Sequence, residues 1–331
     1  MVFKLIKYNI FFIIFLLLLS SIFVFVSQDL KAAACDRDAN NKIEINSTDK
    51  LPSNDDACEF PPNTYKITFF KGGLCTADPM GTATGDPDLS SCFLFFDNDV
   101  GKDVTLISSS TGTISPATLI EGGLALGINT YPYAFLILDN ALQMKHVETF
   151  DTNVTGATAA GQTCWTLNKT TSTTNTTSAG TRNGVATAAV TDGTPGTYTI
   201  DCGDTEDEAA AFQTDVVDSM GDDCSSNFSA ILGTTGWDTI EDSHSSSVLK
   251  GIMGAKLLLT TNSIASSCAN AKRIFYGIDF TNSLVITENT STFDLSFRAK
   301  KGIEMMFNAQ GSATHFSKLG ANPFQVIFTA E

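Results

Sequence analysis

The sequence predicts a mainly β protein, an antiparallel β-sandwich with one short helix and a long polar loop insertion. Three observations carry that prediction: short segments alternate apolar and polar residues with period two, turn-forming clusters separate them, and a single stretch has helical spacing. Alternation of this kind puts one strand face in a core and the other in water. Many short strands without intervening helices pack as a sandwich.

The chain opens with a leader. Lys4 and Lys7 precede a run from Ile10 to Val26 that is apolar apart from Ser20 and Ser21, which is the layout of an export signal. Ala32, Ala33 and Ala34 offer a signal peptidase its small residues, so residues 1–34 are assigned to a signal peptide cut after Ala34. A retained membrane anchor is one alternative for a run of this length. A lipid on Cys35 is another, but a lipidated cysteine calls for a large aliphatic residue three places earlier, where Ala32 stands.

The formal charge of −16 becomes −18 once Lys4, Lys7, Lys31 and Asp29 leave with the leader. Nucleic acid is therefore not an expected partner, since phosphate binding needs a clustered basic face and the adjacent basic pairs are Lys272-Arg273 and Lys300-Lys301. The remainder is long enough for one large core or two smaller ones.

Residues 35–150 form the first β-rich half. Tyr65, Ile67 and Phe69 alternate with Lys66 and Thr68, and further strands are expected at Cys92–Phe96, Val104–Ile107 and Tyr133–Leu138. Residues 151–204 are dominated by Thr, Ala, Asn, Ser and Gly and read as a polar insertion, a long loop or a two-strand excursion. Residues 205–331 hold the helix and the second β-rich half. Thr205 and Glu208 make a capping box, and Phe212, Val216 and Met220 recur every four residues, which predicts a helix over Thr205–Met220. Strands follow at Lys256–Thr260, Arg273–Phe280, Leu284–Thr287, Phe293–Phe297, Ile303–Phe307 and Phe324–Phe328. Asp97-Asn98-Asp99, Thr281-Asn282-Ser283 and Lys300-Lys301-Gly302 all favour chain reversal.

Eight cysteines lie beyond the leader, and an even count in an exported chain indicates disulfides. None of them is spaced as C-x-x-C, which argues against zinc. The expected pairs are Cys35–Cys58, Cys75–Cys92, Cys164–Cys202 and Cys224–Cys268. The argument turns on the helix, because its sixteen residues would span roughly 24 Å and a Cys202–Cys224 bridge needs Cα atoms within about 7 Å. Cys202 must then look back to Cys164, and Cys35 with Cys58 ties down a polar N-terminal arm.

Candidate chemistry is sparse. "DRDANNKIEINS" offers Asp36, Asp38 and Asn40 at the first, third and fifth positions of a calcium loop, but Asn41 replaces the glycine and Ser47 the bidentate glutamate. A solvated turn is the expectation there, and a hairpin turn at Asp97, Asp99 and Asp103. His146, His244 and His315 are far apart, no serine sits in a G-x-S-x-G elbow, and His146-Val147-Glu148 lacks the P-C-x-x-C half of a zinc deaminase. No enzyme activity, cofactor or metal is expected. Tyr131, Tyr133, Trp165 and Trp237 would make a glycan-stacking platform if exposed. N-x-[S/T] sequons at Asn46, Asn153, Asn168, Asn175, Asn227 and Asn289 indicate surface positions.

The succession "TYKITFFKGGLC", "CFLFF" and "LGINTYPYAFLILDNALQMK" resembles the opening of small exported proteins of unassigned role from marine bacteria. These are similar to Ig-like and transthyretin-like modules of bacterial envelope lipoproteins, in which a Y-x-I-T strand leads to a cysteine and a G-T-Y-x-Y strand follows. The likeness covers residues 58–150 and the closing strands from Thr292. Asn129 stands where that pattern has Gly, and the 151–199 stretch has no counterpart. The resemblance implies an exported β-sandwich and transfers no catalytic residue. The expected role is structural, adhesive or in assembly, through contacts with further copies or with another envelope protein, in a secreted, cell-surface or periplasmic location. The alternative is a binding module for a glycan or small solute.

Overall fold

The structure, a computed structural model, describes residues 35–45, 57–82, 84–107, 127–172, 181–182, 185–186, 190–191, 194–206, 209–218, 238–239, 251–298, 302–310, 313–322 and 325–331. The leader, Cys224, Trp237, His244 and the sequons at Asn46, Asn175 and Asn227 lie outside these residues.

In chain order the strands are β1 (Ala57–Phe60), β2 (Thr64–Cys75), β3 (Cys92–Ile107), β4 (Asn129–Asp139), β5 (Ala141–Lys145), β6 (Val147–Thr155), β7 (Ala160–Thr166), β8 (Thr170–Ser172), β9 (Thr181–Arg182), β10 (Val185–Ala186), β11 (Ile200–Gly203), β12 (Gln213–Val216), β13 (Asp238–Thr239), β14 (Gly251–Leu258), β15 (Arg273–Ile286), β16 (Phe293–Arg298), β17 (Ile303–Gln310), β18 (Ala313–Ala321) and β19 (Gln325–Ala330). Short 3-10 turns occupy Pro195–Thr197 and Cys268–Asn270, and none of the described residues is α-helical.

The larger sheet has nine strands and a fork. Its spine is β2, flanked along one edge by β3 and along the other by β4 and β5 in succession, with Leu138 opposite Phe69 and Gln143 opposite Lys66. β4 and β5 are thus one strand interrupted at Asn140. Past the break they part company: β4 carries β15, β14 and β13, whereas β5 carries β12 and then, in parallel, β8. Asn140 is fully buried at the crotch. Its Nδ2 donates to the carbonyls of Val217 (2.8 Å) and Ala271 (3.2 Å), its backbone N donates to Lys272 O, and its own O accepts from Val217 N. A buried backbone carbonyl left unpaired is costly, and one side-chain amide satisfies the buried one of Ala271 and the half-buried one of Val217.

The spine also shows why the sheet is thick. Tyr65, Ile67 and Phe69 face the main core, as the alternation predicts, but from Phe70 onward both faces of β2 are buried. Phe70, Cys75, Phe135, Ile137, Leu258 and Phe275 form a second apolar cluster on the outer face, covered by Met80 and Leu89 from the 76–91 loop. Gly72 and Gly73 permit this, since a Cβ at either would collide with the ring of Phe95 or Phe135.

The second sheet has six strands in the order β1-β17-β18-β6-β7-β11. Between β18 and β6 the join is a single parallel pair, His315 with Thr155. Further along β6 the N-terminal arm takes over as neighbour: Ile43 N donates to Thr149 O, Asp151 N donates to Ile43 O, and Ile43 and Ile45 enter the core. A ribbon of β16 and β19 brings Phe293, Phe297 and Phe328 against Phe95, Phe69 and Phe280. One apolar cluster draws side chains from both sheets and this ribbon.

Several expectations are corrected. Part of the helix expected over Thr205–Met220 is strand β12, whose four residues are all buried between β5 and β8. The strand wins because Gln213 and Asp215, which a helix would point apart, fall on one face and bond the backbone of β18. Gln213 Nε2 donates to Leu319 O, Leu319 N donates to Gln213 Oε1, and Ala321 N donates to Asp215 Oδ2. The 151–204 stretch, expected as a polar long loop or a two-strand excursion, carries the end of β6 and the whole of β7 and β11, which are strands of the six-stranded sheet. Two expected reversals are bulges within unbroken strands. Residues 98–101 bulge out of β3 opposite Phe70, with Gly101 at φ 90°, and 280–283 form an irregularity in β15.

Candidate functional site

The densest polar constellation gathers His146 and Glu148, on either side of the start of β6, with Arg37 from the arm and Asn63 from the turn before β2. Asn63 N donates to His146 Nδ1 (3.2 Å), which assigns the ring proton to Nε2, 3.2 Å from Glu148 Oε2. Arg37 donates to both carboxylate oxygens, at 3.0 and 2.6 Å. Burial alone would raise the Glu148 pKa, but the His146 hydrogen bond and the Arg37 guanidinium hold it at about 2. The same bond to Glu148 raises Arg37. A carboxylate so acidic, with both oxygens engaged, is a poor proton carrier near neutral pH. What the group does is fasten the arm to β6.

The arm has further ties. Cys35 is bonded to Cys58 at a Cα separation of 5.0 Å, so its sulfur is engaged in a disulfide. Asp38 Oδ1 accepts from the backbone N of Asn40 and of Lys42, both at 2.8 Å, and Asn41 takes the left-handed φ of 64°. The Lys42 amide bond pulls the Asp38 carboxyl below its ordinary range. Asp36, Asp38 and Asn40 therefore belong to a tight turn closed by pairing of Arg37 with Ile43. Around the β3 bulge, Lys71 of β2 pairs with Asp97 and lies 3.6 Å from Asp99, while Lys66 of β2 meets Asp103 at 2.8 Å. Among the described residues no group of three or more His, Cys, Asp or Glu is placed to hold a metal ion.

On the outer face of the larger sheet, the wholly buried Lys256 donates to the carbonyls of Met80, Thr82 and Gly85. Burial lowers its pKa, and Asp78 and Asp86 partly offset that. Arg273 lies over the ring of Phe70 at 3.8 Å and donates to Asn262 Oδ1. Lys256 and the Cys75–Cys92 bridge seat the 76–91 loop on its apolar bed, whereas Arg273 ties β15 to Asn262 and to the Asp99 carbonyl of the β3 bulge. The sequence does carry a signal for Lys256, a single charge inside "GIMGAKLLL". Asn140 gave none, because "LDNA" has turn composition.

The aromatic platform does not assemble among the described residues. Tyr131 and Trp165 are 3 % and 2 % exposed, and Tyr133 packs against the outer cluster. His315 Nδ1 is 2.8 Å from the hydroxyl of buried Tyr198, and His146 is engaged as above.

Three expected disulfides are present. Cys75–Cys92 and Cys164–Cys202 are register partners across β2–β3 and β7–β11, each with Cα atoms 4.0 Å apart. The Cys164–Cys202 pairing stands although the helix that argued for it does not, since strand register alone brings the two together. Cys268 is buried, and its expected partner Cys224 lies outside the described residues. Compared with protein-family models, curated proteins and solved structures, the chain matches none of them.

Proposed function

We propose that this is an exported β-sandwich protein of the Ig-like or transthyretin-like kind, with a structural, adhesive or assembly role at the cell surface or in the envelope. The observation that carries the proposal is β3. It is the longest strand, sixteen residues, and among the described residues it pairs along one edge only, with β2. A free edge of that length is a template for strand addition. The bulge and its charged residues interrupt it, and a second register shift at Phe95 leaves Cys92–Leu94 as a short regular segment with Leu94 38 % exposed. Three disulfides support an oxidising compartment. No helix of the described residues is long and apolar enough to cross a membrane. The buried cationic and acidic groups described above hold chain to chain, which supports a scaffold more than a catalyst.

Fractionation of cells followed by cross-linking and imaging of the native protein tests this. The expected result is an envelope or external protein that cross-links into larger species, with Leu94→Lys weakening them. A cytoplasmic protein with reduced cysteines, or an exported strict monomer indifferent to Leu94→Lys, overturns it.

A further inference from the structure

In the forked branch β8 and β12 run parallel with Thr171 opposite Asp215, and Asp215 also stands opposite Leu142 of β5, a member of the main core. Register partners share a face, so both side chains project into the interior. Thr171 is 0 % and Asp215 1 % exposed. One carboxylate oxygen is satisfied, as Ala321 N donates to Oδ2 at 2.9 Å. Asp215 Oδ1 and Thr171 Oγ1 have no hydrogen-bond partner among the described residues.

Buried polar atoms nearly always have a partner, and two adjacent exceptions point to a shared one. Neighbouring strands lie about 4.8 Å apart, a gap that one small molecule spans with hydrogen bonds of about 2.8 Å to either side. The occupant must donate to a carboxylate, accept from or donate to a hydroxyl, and fit a closed interior. Burial pushes the Asp215 carboxyl up, and the Lys318 charge opposes that. The Lys318 charge already acts on this carboxyl, so a second cation is disfavoured and a neutral species fits best. We propose that Asp215 Oδ1 and Thr171 Oγ1 form a closed site for one ordered water molecule, which joins β8 to β12 and, through the other oxygen of Asp215, to β18. The site belongs to the architecture and holds whether or not the protein assembles at a cell surface.

A crystal structure of the oxidised chain at a resolution that shows ordered water tests it. The expected result is a single peak within hydrogen-bond distance of both oxygens, retained in Thr171→Ser and lost in Thr171→Val, with a lower Tm for the valine variant alone. Direct contact between the Thr171 hydroxyl and Asp215, or no density between them, overturns the proposal. So does an anomalous peak there after a thallium soak, which would mark a monovalent cation site. Should Thr171→Val not fold, the native map and Thr171→Ser still decide the matter.

Discussion

The two large sheets, of nine and six strands, hold themselves together differently. In the nine-stranded sheet, β2, β4 and β15 bury apolar side chains on both faces, with rings such as Phe135 and Phe275 stacked at 5.6 Å on the outer one. In the six-stranded sheet the joins are polar. Arg37, His146 and Glu148 tie the arm to β6, Asp201 accepts from the backbone N of Thr158, Ala159 and Cys202, and Gln213 reaches across from the other sheet to β18. Apolar burial tolerates local variation in chemistry but demands shape. Polar joins tolerate variation in shape but fail when a single partner is lost or changes charge.

Removing the Cys164–Cys202 bridge is expected to give the largest effect. With the cysteines at a sequence separation of 38, the double alanine variant should lose about 4 kcal/mol, chiefly by freeing the unfolded chain. Urea unfolding checks it, and a loss below about 1 kcal/mol would mean that β7–β11 pairing needs no clasp. Asn140→Leu comes next, at about 3 kcal/mol, because it strands the buried carbonyl of Ala271 and the half-buried one of Val217. Hydrogen exchange should then show protection lost at Lys272 and Val217. Unchanged exchange there would remove the fork from the account.

Glu148→Gln should cost about 2 kcal/mol at pH 7 by weakening a partly buried pair with Arg37, read from the change in urea midpoint. Its pH dependence sharpens the comparison. The folded pKa of about 2 lies below the ordinary 4.5, so the stabilisation is complete above about pH 4.5 and is lost as the pH falls toward 2. Acidification of the native protein should therefore release β6 and the arm, seen by hydrogen exchange, before β2 and β4. Simultaneous release would show that the sheets share one kind of join. The smallest effect concerns the acidic turn, where calcium and a chelator should give the same Tm. A calcium-dependent rise abolished by replacing Asp36 and Asp38 with Asn would make the turn a binding loop.

The same contrast explains what could be read from the sequence. Apolar alternation marks β2, β4, β16 and β19 because their faces are decided locally, by Phe, Tyr and Ile at every second position. Thr149, Thr163 and their neighbours have the composition of a loop, and only pairing between β6 and β7 makes them strands. Thr281-Asn282-Ser283 does disturb the chain, but β4 on one side absorbs the disturbance as a bulge. The Cys164–Cys202 bridge is reached through a helix that the chain does not form, and it stands because strand register brings the two cysteines opposite each other. Gln213 and Asn140 were illegible, since their partners lie 106, 77 and 131 residues away.

Those separations give the fork a place in time. As the chain is synthesised from its N-terminus, β2, β3, β4 and β5 can pair before residue 217 or 271 exists, with the Asn140 amide still hydrated. Closing loops of that length is the slow part of assembling a non-local fold. The crotch is thus sealed among the last events, once both branches have been laid down. Asn140 can complete its bonds only when both branches are in place, so a defect there should be felt by the folding chain as well as by the folded protein.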